Sequence, residues 1–89
     1  MKAVITVTGK DTVGIIADVS AVCAEARANI LEITQSVLSE YFAMIMLVDI
    51  DALSLSFREF ADKLADLGGK RGLDVRAVHE EIFDAMHRI

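Results

Sequence analysis

The stretch Tyr41 to Ile50 is nearly continuous apolar sequence. It is shorter than a typical helix with a polar face, so it reads as a strand buried on both sides. Phe42, Met44, Met46 and Val48 then point one way, and Ala43, Ile45 and Leu47 the other. Ser39-Glu40 supplies the turn before it, and Asp49-Ile50-Asp51 closes it. A strand of this kind needs cover on two faces, which ties the rest of the chain to it.

The flanking segments supply that cover. Lys2 to Thr8 alternates, with Ala3, Ile5 and Val7 on one side and Val4, Thr6 and Thr8 on the other, and its β-branched residues argue a strand. From Ile15 to Ala28, Ile15, Val19, Val22 and Ala26 fall at helical spacing, with Ile16 and Cys23 alongside. Ile30 to Ser39 reads as a strand with Leu31, Ile33 and Val37 on one face and Gln35 interrupting the stripe. Ser56-Phe57-Arg58-Glu59 has the form of a capping box. It opens a helix whose apolar face is Phe57, Phe60, Ala61, Leu64 and Leu67, with Gly68, Gly69 and Gly72 expected to end it. Leu73 to His79 alternates again, and residues 80–89 place Ile82, Phe83, Met86 and Ile89 at helical spacing.

The order is strand, helix, strand, strand, helix, strand, then a terminal helix. Two strand–helix–strand units predict an α+β, ferredoxin-like βαββαβ sandwich, a four-stranded antiparallel sheet with both helices on one face. With 89 residues there is room for one domain, a core over 2–79 and a terminal helix over 80–89. The composition is 54% hydrophobic with a mean hydropathy of +0.46, high for a small monomer. Val4, Ile45 and Leu47 would lie on the open sheet face, an aggregation hazard if bare. The expectation is a homodimer that buries this face or a sheet edge.

The net charge of -5 and the lack of a basic cluster argue against direct nucleic-acid binding. RNA-recognition relatives of this fold need aromatics on the first strand, where none occurs. Metal carriers use Cys-x-x-Cys, but Cys23 is the single cysteine, which also rules out an intrachain disulfide. An acylphosphatase-like enzyme needs an arginine after the first loop, and Ile15 to Ala26 has none. No signal peptide or membrane-length apolar run is visible, so a reducing cytoplasm is expected. No nucleophile–base pair stands out, and the chain is read as a non-enzyme without a cofactor.

Gly9-Lys10-Asp11-Thr12-Val13-Gly14 joins the first strand to the first helix. Its spacing is Gly-x-x-x-x-Gly, but Ile15-Ile16 stands where a phosphate loop has Lys-Ser/Thr. Its exit is a helix N-terminus, where backbone N–H groups and the helix dipole suit a small anion such as a carboxylate. Asp11 either receives a ligand ammonium or, like Thr12, caps the helix. Asn29 either contacts a ligand through its amide or ends the helix in a left-handed conformation. The topology is expected to set the first loop near the start of the second strand. His79 and His87 flank the terminal segment and read as a surface pair. A zinc or nickel site using them with Glu80 is a minor alternative.

Asp11-x-x-Gly14-Ile15-Ile16-Ala17-x-Val19, followed by Asn29-Ile30, resembles an ACT domain, the ligand-binding module of many amino-acid-metabolic enzymes and regulators. The likeness spans Lys2 to about His79. The whole chain, tail included, is similar to stand-alone single ACT-domain proteins of unassigned function, related to the ACT pair of the glycine-cleavage-system transcriptional repressor. The resemblance implies that Asp11 and Asn29 touch an amino acid or similar small metabolite, while the backbone around Thr12, Val13, Gly14 and Ile15 holds its carboxylate. It implies a ligand between two subunits and a signal passed to a partner protein. Some serine-binding relatives carry an amide where this chain has Asp11. Other members bind no ligand and serve only to associate, which is the alternative function.

Overall fold

The computed structural model describes residues 1–10 and 13–86. The elements are β1 (Lys2–Lys10), α1 (Ile15–Ala26), β2 (Asn29–Leu38), β3 (Tyr41–Asp49), α2 (Phe57–Arg71), β4 (Leu73–His79) and α3 (Glu80–Met86). The four strands form one antiparallel sheet in the order β2-β3-β1-β4, the expected ferredoxin-like arrangement. The apolar segment Tyr41–Asp49 is an inner strand, paired with β1 on one side and β2 on the other.

The core lies between the sheet and the two longer helices. Phe42, Met44, Met46 and Val48 of β3 are buried there with Ile5 and Val7 of β1, Val19 and Cys23 of α1, and Phe60 and Leu64 of α2. Burying a side chain such as Phe60 or Leu64 contributes about 1.5–3 kcal/mol. The capping box of α2 forms as expected: Glu59 N–H donates to Ser56 Oγ at 3.1 Å and Ser56 N–H to Glu59 Oε1 at 3.4 Å.

Several local expectations change. The stripe of β2 is not Leu31, Ile33 and Val37. A bulge between Ile30 and Glu32 shifts the register, so Ile30, Ile33 and Val37 oppose Val48, Met46 and Phe42 on the helix side. Asn29 does not end α1. Arg27 takes the left-handed conformation at φ 64°, and the Ala28 N–H bonds Cys23 O at 2.9 Å, which buries Ala28 two residues after the helix. Gly68 and Gly69 do not end α2, which runs to Arg71 and stops at Gly72. Gly68 is instead a contact point. A Cβ there would lie 2.7 Å from Leu73 O and 2.9 Å from Val75 Cγ2.

The open sheet face is not wholly bare. Val4 is 4% exposed, while Ile45 is 46% exposed and Leu47 is half-buried. The short helix α3 packs on β1 and β4 of its own chain, and Val4 is buried, which corrects the expectation of a bare residue there. Residues 87–89, the end of the expected terminal helix, lie outside the described residues.

Two adjacent glycines give opposite expectations. Gly68→Ala forces the α2–β4 contact apart and should cost about 1–3 kcal/mol despite alanine's better helix propensity. Gly69→Ala meets nothing within 4 Å and should stabilise by about 0.5–1 kcal/mol. Urea unfolding of both variants checks the pair. Burial pushes the Cys23 thiol up to about 11 from 9.0. The folded state therefore holds its proton where the unfolded chain loses it. This contribution is full below pH 9 and is lost as pH rises towards 11. Cys23→Ala should flatten that alkaline decline relative to the parent protein.

Candidate functional site

Among the described residues, no side chain caps the start of the first helix. Its N-cap is Gly14, in the left-handed conformation at φ 86°, and not Asp11 or Thr12 as the sequence suggests. Asp11 and Thr12 lie outside the described residues. Glycine takes this conformation without the steric penalty of a Cβ. Gly14 O accepts the first helical bond from Asp18 N–H at 3.0 Å. The amides of Ile15, Ile16 and Ala17 come earlier in the helix and have no intrahelical acceptor. Among the described residues no side chain satisfies them.

These same residues line a cleft. Gly14, Ile15, Ile16 and Ala17 face Gln35, Val37 and Phe42 across a space of 290 Å³. That is at the small end of ligand pockets and suits one amino acid better than a nucleotide. Its floor is apolar, its helix end offers donors and a partial positive charge, and Gln35 adds an amide able to donate and accept. Gln35 lines this cleft, and sequence reasoning left it unassigned. Its signal was the polar break in an otherwise apolar stripe.

Arg71, the last residue of α2, closes the back of this turn. Its Nη1 donates to Val13 O at 2.8 Å, and its Nη2 forms an ion pair with Asp18 in the first turn of α1. The other end of the loop rests on the next residues. Gly9 sits so close to Gly72 and Leu73 that a Cβ would lie 2.6 Å from Leu73 Cδ2. Nothing in the sequence marks Arg71, because the contact spans 58 residues.

The expected site residues divide. Gly14 and Ile15 line the cleft, whereas the Val13 side chain is 93% exposed and only its carbonyl is engaged. Asn29 is not beside the loop of its own chain. It pairs with Asp49, level with Lys2, whereas the loop leaves β1 at Lys10, level with Tyr41. At ~3.3 Å per residue the two ends of the sheet are roughly 25 Å apart. The expectation that the loop lies near the start of β2 is thus overturned within one chain.

His79 is half-buried, not freely exposed. Its ring stacks on Phe57 at 4.1 Å and 26°, and its Nδ1 is buried without a hydrogen-bond partner among the described residues. His79 and Glu80 border a second cavity with Met1, Lys2, Glu81 and Ile82. Among the described residues no group of three His, Cys, Asp or Glu side chains could hold a metal. His87, the third member of the minor metal reading, lies outside them. Cys23 is fully buried and its raised pKa disfavours the thiolate that nucleophilic chemistry requires. No helix among the described residues is long and apolar enough to cross a membrane.

Comparison with known proteins bears on this geometry. The ACT domain family model matches residues 2–78. A UPF0237 protein of Neisseria meningitidis is 52% identical over 87 residues, covering 98% of this chain and 97% of its own. An ACT domain protein from Streptococcus pneumoniae superposes with a TM-score of 0.80 at 39% identity, covering 98% of both chains. A putative glycine cleavage system transcriptional repressor superposes with a TM-score of 0.72 at 26% identity, covering 86% of this chain and 44% of its own. Matched by the family model over most of its length and by relatives across nearly all of it, the chain belongs to the ACT domain family.

Proposed function

We propose that this protein is a non-catalytic sensor that binds an amino acid or similar small zwitterion between two copies of itself. The observation that carries the reading is the start of α1, which no side chain among the described residues caps, opening onto a small cleft beside the sheet edge formed by β2. The ligand carboxylate would accept from the Ile15, Ile16 and Ala17 amides. Gln35, with Asp11 and Thr12 from the loop, would read the ammonium end.

The separation of Asn29 from the loop supports a two-chain site. β2 is an edge strand, and nearly all its residues are exposed, including Leu31, Ile33, Val37 and Leu38. An exposed apolar edge of this length invites pairing with another strand. Antiparallel pairing of β2 with β2 of a second copy sets the start of one strand beside the end of the other. Asn29 of each copy then lies next to the loop end of its neighbour. A ligand there touches both chains and stabilises one arrangement by its differential affinity, typically ~1–3 kcal/mol of coupling. A partner protein would read that arrangement. The likeness to a glycine cleavage system transcriptional repressor supports such a role.

A second reading is a ligand-free association module. Tyr41, at 55% exposure, Leu38 and Ile45 share the open sheet face and suit a protein partner.

A thermal-shift screen against the twenty amino acids separates the readings. An amino acid present at about 100 times its dissociation constant adds ~2.7 kcal/mol to stability, a clear rise in Tm. The shift should vanish in Asn29→Ala, Gln35→Ala and Asp11→Ala. Gly14→Ala should lower the unliganded Tm as well, because alanine at φ 86° costs about 1–2 kcal/mol. No shift at millimolar concentrations would favour the association module.

A further inference from the structure

We propose that β2 joins β2 of a second copy in one register, with Gln35 facing Gln35 across a two-fold axis and Ile33 of each copy facing Val37 of the other. The inference rests on the two-copy reading above but needs no ligand, and it gives Gln35 the role of setting the register.

The free edge of β2 limits how two copies can meet. The two-residue turn Ser39-Glu40 joins β2 to β3, and Leu38 pairs with Tyr41 across it. The closing pair of such a turn is hydrogen-bonded, and antiparallel pairs alternate from there. Val37, Gln35 and Ile33 therefore aim their backbone N–H and C=O groups away from β3. Their side chains lie on the helix side of the sheet, opposite the buried Phe42, Met44 and Met46. A second strand on this edge must bond those three residues, and its register can change only in steps of two.

Of the registers that remain, one is self-complementary. Ile33-Thr34-Gln35-Ser36-Val37 reads apolar, hydroxyl, amide, hydroxyl, apolar from either end. With Gln35 opposite Gln35, Ile33 meets Val37 twice and Thr34 meets Ser36 twice, as an isologous contact requires. The pairing then uses the whole straight run from Glu32 to Leu38, which lies beyond the bulge. A slip of two residues one way sets Gln35 against Ile33 and Val37 against the bulge at Leu31. A slip the other way sets Gln35 against Val37 and Ile33 against the turn at Ser39. The two Gln35 amides can each donate to and accept from the other. A single polar residue in an apolar seam fixes register in the same way in coiled coils.

Charge points to a second copy as the occupant of this edge. Each chain carries -5, so two copies repel unless they meet through a neutral surface. From Ile33 to Val48 the one charged residue is Glu40. In the centred register Glu32 meets Leu38, and no like charges face each other. Ile33 and Val37, 41% and 55% exposed in the single chain, are the side chains that this pairing removes from water.

The test is disulfide trapping in the full-length protein. The native Cys23 is fully buried and stays in every variant, so the parent is the control. Hydrogen-bonded pairs have Cα atoms ~5.5 Å apart, within disulfide reach. Under mild oxidation Q35C should give at least about tenfold more linked dimer than T34C or S36C. I33C and V37C should each stay unlinked, because like positions then lie roughly 13 Å apart along the strand, whereas I33C/V37C links. Linkage centred on T34C or S36C overturns the register, as does a dimer in which neither Q35C nor I33C/V37C links. Q35L removes the amide pair, so T34C/Q35L or S36C/Q35L should link at least about tenfold more than T34C or S36C. An unchanged pattern overturns the role of Gln35. A reduced parent that sediments as a monomer at every concentration overturns the register together with the two-copy reading. If the expected linkage appears and no amino acid raises the Tm, the sensor reading fails and the register stands.

Discussion

The seam between α2 and β4 sets the rest of the molecule in place. At Gly68 the helix backbone lies so near Leu73 and Val75 that no side chain fits between them. That approach fixes where α2 ends, and Gly72 turns the chain straight into β4. Leu73 then pairs with Gly9 at the end of β1, and Arg71 reaches Val13 and Asp18 at the start of α1. Both ends of the first loop therefore rest on Arg71, Gly72 and Leu73. A packing contact in the core thus sets the geometry of the start of α1.

The same logic explains which features were legible in the sequence. Alternation and helical spacing report burial, and the buried elements followed them: Phe42, Met44, Met46 and Val48 face the core, as do Ile15, Val19, Phe60 and Leu64. The Ser56–Glu59 capping box is a local interaction and formed as written. What could not be read depends on neighbours distant in sequence. The bulge at Leu31 is a matter of strand register against β3. Gly68 looks like a helix terminator until β4 is laid beneath it. Arg71 is one of several basic residues until the fold brings it to Asp18. The glycine loop was legible as a strand-to-helix connection, because that setting is local. Its relation to Asn29 was not, because that depends on which end of β2 the loop approaches.

The separation of the loop from Asn29 has a functional consequence. A single chain presents donors for a carboxylate at one end of the sheet and an asparagine at the other, with β2 as an unpaired edge between them. A site needing both ends is complete only in a pair. In the proposed reading, binding and association would be the same event seen from two sides, and a ligand would act through its differential affinity for the arrangement of chains. The burial of Val4 and the packing of α3 on β1 and β4 are why the proposal places the joining surface at the β2 edge and not on the open face.

The most direct measurement is a nitrogen-15 chemical-shift titration of the protein with the amino acid that stabilises it most. The account predicts that the amides of Ile15, Ile16 and Ala17 and that of Asn29 move together with one dissociation constant, although they lie at opposite ends of one chain. Shifts confined to one end, or clustered around His79 and Glu80, would contradict a ligand shared between two copies.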